Sequence, residues 1–196
     1  MISKEEALKN SRHYFEITKR AIELTGIEKK LSSFGDVELV GSYKYDLMGQ
    51  ADIDFEVYAE PNIEKIADLA REYMIMPKLI KVNLVNYTVY PVSRPSLPPG
   101  VWLGLRVDID GELVNFDIWF IRPLDRHADE FATKMPKDWG FNLSEQQREA
   151  IIYLKALSRN GGLDRDYMSV EIYKAVVLAD VKNQADLISW SKNSLD

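Results

Sequence analysis

Asp52 and Asp54 stand two residues apart in the run ADIDFEVY, residues 51 to 58, interleaved with Ile53, Phe55 and Val57. Two residues is the strand period. A strand over Ala51 to Tyr58 therefore sends both carboxylates, with Glu56, to one face and the apolar residues to the other. Carboxylates crowded on one face repel each other unless a cation lies between them. Oxygen-only ligation suits Mg²⁺, which commonly takes one or two carboxylates together with substrate phosphates. The solvated face of an edge strand would show the same pair, so the triplet needs company before it means chemistry.

That company comes from two other places. Asp110-Gly111 is a strong two-residue hairpin signal between the strands Val101 to Ile109 and Glu112 to Ile121. Such a turn pairs Ile109 with Glu112, which sets Gly104 opposite Asp117 and Arg106 opposite Asn115. Asp117 lies inside NFDIWFI, flanked by core-type residues and facing a glycine that leaves room. Asp108 shares its parity but sits beside the turn, roughly 13 Å along the strand from Gly104. Upstream, Gly41-Ser42 closes the short strand Val37 to Val40. A glycine there lets a phosphate approach the backbone, while Ser42 and a tight turn would offer a hydroxyl and free N–H groups. Lys44 and Arg106 are the cations within reach of such a site. Each otherwise reads as a surface cation or an ion-pair partner.

The positioning elements follow from periodicity and punctuation. Ser3 and Glu6 form a capping-box pattern before a helix that Gly26 ends. Pro61-Asn62 opens a helix whose buried side is Ile63, Ile66, Ala67, Ala70 and Tyr73. A strand over about 81 to 90 comes next, then the proline-rich loop Pro91 to Gly100. Ser144 and Gln147 form a second capping box for a helix through Leu157, which Gly161-Gly162 ends. A last helical region runs from about Ser169 towards Trp190. The expectation is an α/β (α+β) fold, a mixed sheet flanked by helices. Residues 1–142 form its core with an N-terminal helix, and residues 143–196 a C-terminal helical extension.

Composition narrows the chemistry. The chain has 196 residues, 46% hydrophobic and 29% charged, which suits a globular domain. It has no cysteine, which removes disulfides, thiolate nucleophiles and thiolate metal sites. His13 and His127 are the only histidines, so a multi-histidine zinc site is excluded. The net charge of −6 argues against a large nucleic-acid footprint. No signal peptide or membrane-length apolar run is present, which gives a cytoplasmic expectation. Walker, GxGxxG and GxSxG motifs are missing. Tyr87, Tyr90, Trp102 and Trp119 read as sheet-packing aromatics that could alternatively stack on a base.

Gly41-Ser42, Asp52-Ile53-Asp54 and the later Asp117 together resemble the DNA-polymerase-β-like nucleotidyltransferase superfamily, over roughly residues 30 to 122. The C-terminal helices suggest its small minimal-type or antibiotic-type members. The resemblance implies that Gly41 and Ser42 hold a triphosphate; Lys44, close behind Ser42, and Arg106, diagonal to Asp117 on the same face, are placed to neutralise phosphate charge. It implies that Asp52, Asp54 and Asp117 are catalytic and bind Mg²⁺ or Mn²⁺, with Asp117 beside the attacking group. The implied reaction moves a nucleoside monophosphate from an NTP, ATP being the expected one, to a hydroxyl of a small molecule or protein. Two other readings stand beside it, an antitoxin-like or regulatory protein on the same core and a non-catalytic nucleotide-binding module. Neither membrane nor extensive nucleic-acid binding is expected. The C-terminal helices could carry a homo-oligomer or protein-partner interface.

Overall fold

The computed structural model describes residues 2–89, 99–126 and 137–193. The proline-rich loop and Tyr90 fall largely or wholly outside these residues, as does His127. So does most of the segment from Arg122 to Trp139.

The first helix, α1 (Lys4–Thr25), begins where Ser3 accepts from the Glu6 N–H. It ends at Gly26, which takes the left-handed φ of 60°. After α2 (Ile27–Leu31) the chain enters β1 (Asp36–Val40), α3 (Gly41–Lys44) and β2 (Asp52–Tyr58). Helix α4 (Ile63–Met74), capped by Asn62, leads to β3 (Leu79–Asn86), then β4 (Gly100–Ile109) and β5 (Glu112–Ile121). The remaining helices are α5 (Lys137–Asn142), α6 (Glu145–Arg159), α7 (Ser169–Ala179) and α8 (Gln184–Asn193). The reciprocal capping box at Ser144 and Gln147 is formed. The expected last helix divides in two because Asp180 adopts φ 52° and closes α7.

The sheet runs β1-β2-β5-β4-β3, antiparallel except for the parallel β2–β5 pair. The hairpin register is the one expected from the turn: Ile109 faces Glu112, Gly104 faces Asp117 and Arg106 faces Asn115. Asp110 and Gly111, at φ 54° and 91°, fill a turn whose two central residues both need positive φ.

Alternation makes the sheet two-faced. Ile53, Phe55, Leu103, Leu105, Phe116 and Ile118 bury one face against α1 and α4. From α4 the core takes Ile66, Leu69, Ala70 and Tyr73, while Ile63 is left 41% exposed at the first turn. A second apolar cluster joins α6, α7 and α8 to Ala7 of α1 and to Tyr45 and Leu47 after α3. The open face of the sheet, carrying the aspartates, looks towards this second cluster.

Candidate functional site

Strand parity does the first part of the work. In the parallel β2–β5 pair Asp54 is the direct partner of Asp117, and Asp52 of Asn115. All three aspartates occupy the face opposite the core. Asp54 and Asp117 line a cavity of about 980 Å³ between the sheet and the helices α6 and α7.

The turn after β1 closes one end. Gly41 has φ 74°, and a Cβ there would overlap the Asp54 carboxylate. Only glycine allows the chain to pass so near that group. Ser42 is nearly buried, and its hydroxyl donates to Asp52 Oδ1 at 3.5 Å. Gln50 Nε2 donates to Asp52 Oδ2 at 2.7 Å, and Gln50 in turn accepts from Arg159 of α6.

At the other end Trp102 Nε1 donates to Asp117 Oδ1 at 2.9 Å. Gly104, directly opposite Asp117, makes room for that indole. A Cβ at Gly104 would stand 2.6 Å from the ring. The rings of Tyr87 and Trp119 stack with centroids 5.4 Å apart and also line the cavity. Trp102 and Trp119 thus stand on the open face of the sheet, whereas sheet packing alone would have buried them against helices.

Electrostatically the site is under tension. Burial pushes the Asp54 carboxyl well above the usual carboxylate range, and the charges of Asp52 and Asp117 push it further. No described residue hydrogen-bonds to the Asp54 carboxylate, and Lys155 is the cation that offsets part of the repulsion. Asp117 is raised by burial and by Asp52, against the lowering effect of the Trp102 donor.

Lys155 was not singled out from the sequence. It is 2% exposed, and its ammonium donates to Leu47 O at 2.7 Å and to Tyr173 Oη at 3.2 Å. Burial lowers its pKa to about 8, opposed by Asp52 and assisted by Arg159 one turn along. The available signal was a lysine on the apolar face of α6, among Ile151, Leu154 and Leu157, where an unpartnered charge is rare.

The two cations named from sequence lie elsewhere on the sheet. Lys44 pairs with Glu38 Oε1 at 3.0 Å on β1 and does not line the cavity. Arg106 Nε donates to Asn115 Oδ1 at 2.8 Å and borders a smaller cavity that Asp117 also lines.

The donor chemistry suits a hard divalent cation: three carboxylates, one of them without a hydrogen-bond donor among the described residues. As they stand, no three acidic or histidine side chains of the described residues form a ready metal cluster. The cause is visible, since Asp52 is held by Gln50 and Asp117 by Trp102. An ion bound by Asp52 would have to displace the Gln50 donor.

No family model matches the chain, and no curated protein is significantly similar to it. Two solved structures are similar in fold. The poly(A) polymerase GLD-2 in complex with GLD-3 aligns with TM-score 0.51 and 10% identity, over 87% of this chain and 57% of that one. GLD-2 in complex with RNP-8 aligns at 0.50 and 9%, over 87% of this chain and 60% of that one. The chain therefore spans less than two thirds of either neighbour. At that identity the likeness is one of fold, and it agrees with the resemblance carried by the three motif elements. With its five-stranded mixed sheet flanked by helices, the chain has a nucleotidyltransferase-like fold.

Proposed function

We propose that the chain is a metal-dependent nucleotidyltransferase, moving a nucleoside monophosphate from an NTP to a hydroxyl of a small molecule or protein. The observation that carries this reading is the Asp54–Asp117 pair. Two carboxylates meet across parallel strands at the floor of a cleft, with Asp52 two residues from Asp54, and among the described residues the Lys155 ammonium offsets only part of the repulsion at Asp54. Such a site is unfavourable on its own and becomes favourable with a divalent cation and a polyphosphate. Bound Mg²⁺ would lower the pKa of the attacking hydroxyl and stabilise the pyrophosphate leaving group.

The chain's own groups supply the rest. Asp52 and Asp54 would hold the ion, and Asp117 would serve the acceptor side of the cleft. The Gly41 turn brings backbone and the Ser42 hydroxyl up to the phosphates. Lys155 and Arg159, one turn apart on α6, are better situated than Lys44 to neutralise the phosphates, because both line the cleft. ATP is the first nucleotide to test, since the fold neighbours are poly(A) polymerases.

The test is calorimetric titration of the full chain with ATP and Mg²⁺, for wild type and for Asp52→Asn/Asp54→Asn. Magnesium-dependent binding that the double variant loses supports the reading. Equal affinity in both proteins overturns it. Binding without pyrophosphate release, over a broad panel of hydroxyl acceptors, would favour a non-catalytic nucleotide-binding module.

A further inference from the structure

The open face of the sheet continues beyond Asp117 and changes sign. Following the register across the strands, one row reads Asp54, Asp117, Gly104, Asn83. The next row reads Asp52, Asn115, Arg106, Lys81. The β2–β5 half of this face is therefore acidic, while the β4–β3 half carries Arg106 and Lys81 with Asn83 and Asn115 beside them, and the one carboxylate further along β4, Asp108, accepts from the Gly111 N–H at the turn. A second cavity of about 200 Å³ lies over the cationic half, lined by Lys81, Asn83, Arg106 and Asn115. It shares Gln50, Trp102 and Asp117 with the main cleft, so the two spaces meet at the catalytic candidate.

Lys81 reaches this face through an irregularity. Leu79 pairs with Val107 on the core side, and simple alternation would send Lys81 to that same side. The register instead shifts between Leu79 and Lys81, and Lys81 pairs with Arg106. A bulge of this kind adds one residue and re-aims the side chain that follows it. The result sets two like charges directly opposite each other on neighbouring strands, an arrangement that is unfavourable by itself. Neither cation forms an ion pair with any described carboxylate, although acidic residues outnumber basic ones, 31 to 25. By contrast Lys30, Lys44, Lys78 and Arg20 each have a carboxylate partner. Arg106 is oriented by Asn115, which leaves the rest of its guanidinium fork turned to the cavity, a geometry suited to a phosphate or carboxylate.

We propose that Arg106 and Lys81, with Asn83 and Asn115, bind an anionic group of the acceptor, so that the acceptor is a small hydroxyl compound carrying a phosphate or carboxylate. This rests on the nucleotidyltransferase reading above for the identity of the site as an acceptor site. It moves Arg106 from the nucleotide phosphates, where sequence parity alone put it, to the other side of Asp117. Strand spacing sets the Arg106 and Lys81 backbones about 8 and 12 Å from that of Asp117. Hydroxyl and anion are thus separated by the length of a hydroxy acid or a sugar phosphate. Two cations over so small a cavity match one anionic group and not the continuous charge of a nucleic acid, which a chain of net charge −6 would also repel.

The test uses the full chain in two arms. In the first, amide chemical shifts are followed as glycerol 3-phosphate, glycerate, glycerol or a short single-stranded RNA is added at fixed ionic strength, without nucleotide. The two anions should perturb residues 81–83, 104–106 and 115, and Arg106→Gln and Lys81→Gln should each weaken them at least ~10-fold, with glycerol inert. In the second arm, pyrophosphate release with ATP and Mg²⁺ is measured for the phosphate, carboxylate and neutral forms of one polyol. The variants should raise the acceptor KM by at least ~10-fold and leave the ATP KM within about twofold. Anion shifts confined to Gly41-Ser42, no shifts at all, RNA preferred over the small anions, or a parallel rise in the ATP KM would each overturn the proposal. The first arm does not depend on turnover. Loss of anion binding there rejects this acceptor site, whereas loss of magnesium-dependent ATP binding rejects the underlying enzymatic reading.

Discussion

At Gly41 a single methyl group should do more damage than at any other position beside the aspartates. Its φ of 74° disfavours any L side chain, and the added carbon would meet the Asp54 carboxylate. Gly41→Ala is expected to lose roughly 1–3 kcal/mol of stability. It should also abolish magnesium-dependent ATP affinity, which thermal melts and calorimetry would show; wild-type affinity would remove the turn from the site. Asp54→Asn should behave in the opposite sense for stability. Burial and two neighbouring carboxylates raise the Asp54 pKa, so its ionised form weakens the metal-free fold. The penalty is full above the raised folded-state value and shrinks as the pH falls from there towards the unfolded value. The variant should melt roughly 2–4 °C above metal-free wild type at pH 7, as about 1 kcal/mol would give. That margin should shrink on acidification and be accompanied by loss of activity. Asp117→Asn keeps size and can still accept from Trp102, so folding and ATP binding should be near normal. Transfer should drop at least ~100-fold. Pyrophosphate release within about threefold of wild type would take Asp117 out of the trio.

Among the elements, α6 contributes most to the cleft that strand parity alone does not. Its capping box at Ser144 and Gln147 fixes where the helix starts. Fifteen residues then bring Lys155 and Arg159 over the aspartates with the same face that buries Ile151 and Leu154. Burial lowers the Lys155 pKa to about 8, whereas an unfolded chain keeps that proton to above pH 10. The ammonium therefore destabilises the ligand-free fold in full below about pH 8. The loss is recovered as the pH rises from there towards the unfolded value. A displacement of this size is worth on the order of 3 kcal/mol. In nucleotide-free protein, the difference in melting temperature between Lys155→Met and wild type should change between pH 7 and pH 10, in favour of wild type at the higher pH. A pH-independent difference would mean that Lys155 does not titrate in this window.

For the whole molecule, the cleft lies between two apolar clusters, one built on the sheet and one on α6 to α8. A ligand that bridges them binds the folded state alone and must raise its stability. ATP with Mg²⁺ at about a hundred times its dissociation constant should add roughly 2.7 kcal/mol. In a chain of this size that is a rise of roughly 5–10 °C. No rise with the nucleotide at saturation would mean that the cleft does not hold it. No helix among the described residues is long and apolar enough to cross a membrane.

Local chemistry was sufficient for a good part of this. Asp110-Gly111 needs two positive φ values, and that alone fixed the hairpin register, so the facing of Gly104 and Asp117 followed from counting. Strand period put Asp52 and Asp54 on one face, and the side-chain caps at Ser3 and Ser144 set two helix starts. What no count could give was everything that depends on non-neighbouring strands and on packing. Parallel pairing of β2 with β5 is a long-range contact, and it alone brings Asp54 level with Asp117. The register shift that turns Lys81 away from the side Leu79 occupies had no count to reveal it, because backbone irregularity in an edge strand carries no residue signature of its own. Lys155 looked like one more helical lysine until α6 packed beside the sheet, since burial belongs to the assembled fold. The division is physical: turn types, caps and alternation depend on residues within a few positions, whereas burial and charge coupling depend on distances across the folded chain.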